Sequence, residues 1–160
     1  MVAQAGDGSA TIGLTAKRVT LCPATSSSQK GLGLVVTRFC GLVTELEFTG
    51  LYRDLLSHEQ FEPGIDEVSD LRDVSSFHVS TRAFSVVAAM NAARLRGANA
   101  RSRILIVAPG TFPFGLSRMY QGISGAGPQE VHVFRQVEGA AKSLNLRAND
   151  LERVLATARQ

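Results

Sequence analysis

The run RILIVAP, Arg103–Pro109, constrains the fold more than any other stretch of this sequence. Its apolar residues are unbroken from Ile104 to Ala108, with no polar alternation. A strand of that kind has both faces covered and belongs to a mainly parallel sheet between helices. From Leu34 onward the chain supplies its neighbours. LVVTRF (Leu34–Phe39), IDEVSDL (Ile65–Leu71) and EVHVF (Glu130–Phe134) read as further strands, and helical patterns separate them. Strands alternating with helices give right-handed crossovers, and hence an α/β domain with helices packed on its sheet.

The helices announce themselves by caps and spacing. Thr44 followed by Glu47 is a capping box, and it opens a helix whose apolar face holds Leu46, Phe48, Leu51, Tyr52 and Leu55. Ser80 caps a second helix with Phe84, Val87, Ala88, Asn91 and Leu95 on its core side and Gly97 as its stop. Thr111 caps a third, where Leu116, Met119, Tyr120 and Ile123 share a side. A helix over Val137–Leu144 follows, and Asn149 with Glu152 caps a closing one.

Before Leu34 the signals are weaker. AKRVTLCPA (Ala16–Ala24) reads as a short strand and TSSSQKGLG (Thr25–Gly33) as a turn, so the two apolar stretches around it would pair as an antiparallel edge hairpin. The expected organisation is a loose segment 1–31 holding that first strand, then one α/β domain 32–160 with an extra C-terminal helix.

Composition narrows the function classes. The 160 residues carry a net charge of +3 with 17 scattered Lys and Arg, no Trp and two Tyr, which argues against a nucleic-acid platform. No apolar run is long enough to span a bilayer and the start lacks the order of a secretory signal, so a cytoplasmic location is expected. Cys22 and Cys40 then read as reduced, buried thiols. Neither they nor His58, His78 and His132 have metal-ligand spacing, and no cofactor is implied.

Functional groups in open α/β sheets gather where strands hand over to helices. Three loops qualify: FCGLVT, DLRDVSSFHVS (Asp70–Ser80) and APGTFPFG. None has the closely spaced glycines of a phosphate loop, and GISGAG (Gly122–Gly127) has them in the wrong order and context. GLSRM around Ser117 lacks one glycine of a nucleophile elbow. Asp73 and His78 are the only pair to nominate for acid–base chemistry. The candidate partner surface is Arg72, Asp73, Ser76, His78, Ser80 and Arg118. The candidate apolar ligand site is Phe112, Phe114 and Tyr120. Ser80, at a helix N-terminus, also suits a phosphate.

The segments Phe48–Ser80, Ala100–Gln121 and EVHVFR, above all DLRDV and FGLSRMY, resemble bacterial SpoIIAA-like proteins, a group related to STAS domains. The resemblance spans about Leu34 to Leu144. It implies a small sheet with helices, as in anti-sigma-factor antagonists, and a place in bacterial signalling or stress regulation. The wider fold group includes lipid-binding domains, which implies an apolar pocket. Asp70, Leu71 and Val74 fit the antagonist pattern, but the phosphoacceptor box is replaced: His78 stands for its aspartate, Val79 for the acceptor serine, Ser80 for the second serine and Thr81 for the glycine. The expectation is a non-enzymatic interaction module, with a small-ligand binder as the alternative. An antiparallel edge strand would also permit a homodimer.

Overall fold

In a computed structural model describing residues 24–59 and 61–158, the chain forms one five-stranded sheet of order β1-β2-β3-β4-β5. The strands are β1 Thr25–Gln29, β2 Leu34–Thr44, β3 Asp66–His78, β4 Ser102–Val107 and β5 Gln129–Phe134. The helices are α1 Glu45–Ser57, α2 Thr81–Gly97, α3 Thr111–Ser124, α4 Val137–Ser143 and α5 Ala148–Thr157. β1 is antiparallel to β2, and β2 through β5 are mutually parallel. This is the α/β class that the RILIVAP run predicts, with one antiparallel edge.

Three helices cover the front of the sheet. Phe48, Tyr52 and Leu55 of α1, Phe84 and Val87 of α2 and Tyr120 of α3 pack on Val35, Phe39, Leu71, Ile104 and Ile106. The back is closed by α4 and α5, where Val137, Ala140, Ala141, Leu151 and Leu155 bury Val36, Val68, Leu105 and Val107. Small residues bring α4 close: a Cβ on Gly139 would stand 2.6 Å from the Phe134 ring, so only glycine fits there.

The sequence expectations need four corrections. TSSSQ is not a turn but β1 itself, paired from Thr25↔Arg38 to Gln29↔Leu34. An edge strand has one unpaired side and tolerates hydrophilic residues, which β-propensity undervalues. The boundary at residue 31 therefore falls inside the sheet, between β1 and β2. The expected strand Ala16–Ala24 lies outside the described residues except for Ala24.

Second, Asp70–Ser80 is not a loop. β3 runs on to His78, and only Val79 and Ser80 connect it to α2. β4 ends opposite Asp70, so Leu71–His78 pairs with β2 alone. Irregularities between Arg38 and Cys40 and between Gly41 and Leu42 interrupt this ladder. Gly41, at φ +63°, supplies the left-handed residue that such a bulge favours.

Third, two caps shift. Gly110 rather than Thr111 is the N-cap of α3, and Arg147 rather than Asn149 precedes α5. Leu46, expected in the α1 core face, is 78% exposed. Fourth, Cys40 is buried as expected but disulfide-bonded, not a reduced thiol. The reduced reading rested on an assumed compartment, whereas disulfides persist in oxidising ones. Cys22 lies outside the described residues.

Candidate functional site: an aromatic crevice over a buried acid

β2 and β3 place three polar side chains on the front face where apolar ones would be expected. Thr37, Glu67 and Ser69 are all buried, Glu67 at 2% exposure. Thr37 Oγ1, Tyr52 OH and Ser69 Oγ lie 2.6, 2.9 and 2.9 Å from Glu67 Oε1. Thr37 Oγ1 and Ser69 Oγ are themselves 2.6 Å apart. Four short contacts need four protons, and the three hydroxyls bring three. The count closes when Glu67 carries the fourth. Burial pushes the Glu67 carboxyl above its ordinary range in the same sense, against the three hydroxyl bonds that favour its charge. Burial first, and then the neighbouring Glu67, raise the Tyr52 phenol well above its normal value.

Above this cluster lies a crevice walled by Phe39, Phe48, Phe77, Phe84, Leu116 and Tyr120, with Ser69 and Tyr52 reaching its floor. The rings meet mostly edge to face: Phe48 is 5.2 Å from both Tyr52 and Phe84 between centroids. The volume open to the centre of a water molecule is about 30 Å³, room for one or two waters. On the far side of Glu67, Asn91, Ser102 and Gln129 line a second space of about 10 Å³. The Tyr120 hydroxyl faces Asn91, Ser124 and Gln129. A polar seam thus crosses the front core beneath aromatic walls.

The predicted site residues fall into three separate places. Tyr120 lines the crevice, but its two expected companions do not. Phe112 is 55% exposed in the first turn of α3, and Phe114 lies under the Arg135 guanidinium, 4.0 Å from its ring centre. Arg135 also donates to the Pro109 carbonyl at 3.1 Å.

Arg72 and Asp73 form ion pairs. The Arg72 guanidinium clasps buried Asp70 through Nε and Nη2, both at 2.9 Å, and reaches Glu152 of α5 through Nη1 at 2.8 Å. The bonds to Asp70 hold the Arg72 charge more firmly than usual. Asp73 accepts from Arg38 at 2.5 Å.

Ser76, His78 and Ser80 belong to the end of β3 where α2 begins, and Arg118 is the eighth residue of α3. Ser80 Oγ accepts from Ala83 N at 3.1 Å, the predicted cap. Its own backbone N–H donates to Glu45 Oε2 at 3.0 Å, and the Ser80 bonds hold the Glu45 carboxyl below its usual range. A phosphate on Ser80 would therefore face a carboxylate. His78 is exposed and Ser76 half-buried. Arg118 is exposed on α3 and bonds Gln121. His78 and Asp73 are five residues apart on one strand.

Sequence reasoning missed Thr37, Glu67 and Ser69. No local pattern marks them, since Asp66 and Asp70 beside them on β3 are polar too and the partners of Glu67 lie 15 and 30 positions away. Among the described residues no group of His, Cys, Asp and Glu could hold a metal ion. No helix there is long and apolar enough to cross a membrane.

No protein-family model matches this sequence, and no curated protein matches it significantly.

Proposed function

We propose that this chain is a non-enzymatic protein-interaction module, of the kind its resemblance to STAS-type antagonist domains in bacterial signalling or stress regulation implies. One observation carries the reading. The most exposed large apolar side chains at the helix-bearing end are Leu46 at 78%, Val86 at 45% and Phe112 at 55%. Each sits within the first two turns of α1, α2 or α3, the helices that follow the parallel strands β2, β3 and β4, with β2 and β3 running on past the end of β4. Apolar side chains collected at one end of a domain mark an interaction surface. Ser80 and His78 stand where α2 begins and Arg118 is exposed in the third turn of α3, whereas Arg72 and Asp73 are engaged in ion pairs.

A photo-crosslinking amino acid tests it, placed in turn at Leu46, Phe112 and Arg153 of the full chain in its host. The expected result is one protein coupled from positions 46 and 112 and absent from 153. Equal coupling from all three, or none, overturns the reading. The bonded Cys40 sits awkwardly with a reducing cytoplasm, so the host compartment should be kept intact until crosslinking is complete.

The aromatic crevice favours a second reading, a binder of a small apolar ligand carrying one polar group. At about 30 Å³ the crevice would have to open to admit it. Native mass spectrometry of protein purified without detergent checks this: a constant added mass supports it, and a bare chain mass in repeated preparations removes it.

A further inference from the structure

Two populations of arginine divide this protein. Arg38, Arg72, Arg101, Arg103, Arg147 and Arg153 each have a carboxylate within ion-pair distance. All of them belong to the sheet, the turn entering β4, or α5 and its approach. The arginines of α2 and α3 are different, a state shared among the described residues by Arg53 of α1 and by Arg135, which lies over the Phe114 ring. Arg82, Arg94, Arg96 and Arg118 have no carboxylate partner among the described residues, and neither helix contains a single aspartate or glutamate. The Arg118 partner is the neutral Gln121, and Arg94 lies over the Phe61 ring at 4.6 Å. The Glu45 carboxylate feels the charge of Arg82 without forming an ion pair with it. The two helices together carry four positive charges and no negative one, while α1 carries Glu45, Glu47 and Asp54 against Arg53 alone.

α2 and α3 lie side by side, joined by Phe84 and Tyr120 at 5.7 Å between rings. Their outward residues include Val86 and Phe112, with Ser85, Ala89, Ala93 and Gly115 between and beyond. The surface is therefore basic and low in relief, with two apolar projections.

We infer that the outer face of α2 and α3 docks an acidic amphipathic segment of a protein partner. This rests on the reading of the chain as an interaction module and adds the chemistry of what it binds. Carboxylates of the incoming segment meet Arg82, Arg96 and Arg118, and its apolar side chains meet Val86 and Phe112. Complementary charge of this kind sets register and speeds encounter. An anionic bilayer is the weaker match, because a membrane-seated face inserts many bulky apolar groups. Here Ser85, Ala89, Ala93 and Gly115 occupy the intervening positions.

The test uses the full chain and two probes: a fluorescein-labelled 18-residue peptide of Leu and Glu at helical spacing, and vesicles of phosphatidylcholine with phosphatidylglycerol. The peptide is expected to bind at low salt and to weaken at least tenfold in the Arg82→Glu, Arg96→Glu, Arg118→Glu triple variant. Arg147→Glu with Arg153→Glu on α5 should change binding less than twofold. Circular dichroism confirms that both variants fold, since all five side chains are exposed. Absence of peptide binding, equal loss in both variants, or binding to the vesicles in place of the peptide overturns the inference. The readings stay separable. Crosslinking from Leu46 and Phe112 that the triple variant leaves intact removes the acidic partner and keeps the interaction module.

Discussion

Behind the sheet, Val36, Val68, Leu105 and Val107 meet α4 and α5 through aliphatic side chains that are all buried. In front, the next residues of β2 and β3 carry Thr37, Glu67 and Ser69 under a layer of aromatic rings. The same strands thus serve two packing regimes. The back is aliphatic beneath α4 and α5, and the Arg72 bonds to buried Asp70 and to Glu152 fasten α5 across it. The front contains a polar seam, small voids and the helices whose outer arginines lack carboxylate partners among the described residues. Rigid backing with a less perfectly packed, charged front is how a scaffold can be held still while one face is left for recognition.

The largest effect should come from the back-face fastening. Arg72→Ala leaves Asp70, 1% exposed, without its counter-charge. Removing one partner of a buried ion pair costs roughly 3–5 kcal/mol. Glu152→Ala removes only the half-exposed partner and should cost about 1 kcal/mol or less. Urea titrations of both variants check this. Similar losses for the two would mean that the buried carboxylate does not dominate, and that the back face is no more tightly specified than the front.

The front is sharpened by Glu67. With its folded pKa raised above the unfolded value, the folded state holds its proton in a range where the unfolded state has lost it. Stability is then full below the unfolded pKa and falls as pH rises through the window up to the folded pKa. Each unit of rise corresponds to about 1.4 kcal/mol. Glu67→Gln cannot ionise, so its stability should stay flat across that window where the wild type falls, at a level lowered by the carboxyl proton that its amide oxygen does not replace. Thermal melts from acid to neutral pH read this. A Glu67→Gln curve parallel to the wild type would show that the acid ionises freely, and the proton count at Thr37, Ser69 and Tyr52 would need another source.

The same contrast explains what was legible in the sequence. The back was readable because burial on two faces leaves a continuous apolar run, as in RILIVAP, and because Val137–Leu144 repeats its small and apolar residues at helical spacing. Both α1 and α2 caps were readable because Thr44–Glu47 and Ser80 act locally, through backbone N–H groups three residues away. Ser-rich β1 was not, since its partner β2, and not its own side chains, makes it a strand. Nor was the length of β3: Arg72, Asp73, Ser75 and Ser76 look like a loop until pairing with β2 and charges from Arg38 and α5 account for them. The Glu67 cluster depends on residues 15 and 30 positions away, beyond any local pattern. Among the nominated residues, Tyr120 reached the crevice and Ser80 the cap, while Phe112, nominated beside Tyr120, came out on the surface.

The smallest effect separates a structural from a regulatory role for Ser80, where the front face begins. Ser80→Ala deletes the acceptor for Ala83 N and should lower stability by about 1 kcal/mol, as loss of an N-cap does. Ser80→Asp keeps an oxygen at the cap and puts a negative charge at a helix N-terminus, which the helix dipole favours. Against that stands Glu45, whose carboxylate accepts the Ser80 backbone N–H. The two carboxylates repel, so Ser80→Asp should be destabilising in the wild-type chain and lose that penalty when combined with Glu45→Gln. A cycle of the four proteins by thermal melting measures the coupling. If Ser80→Asp is as stable as wild type with Glu45 in place, the rim accepts added negative charge, and Ser80 becomes suited to a phosphate despite its carboxylate neighbour. If the coupling is as expected, Glu45 already occupies the position that a phosphate would need, and α2 starts from a fixed cap, leaving Arg82 beyond it free to face a partner.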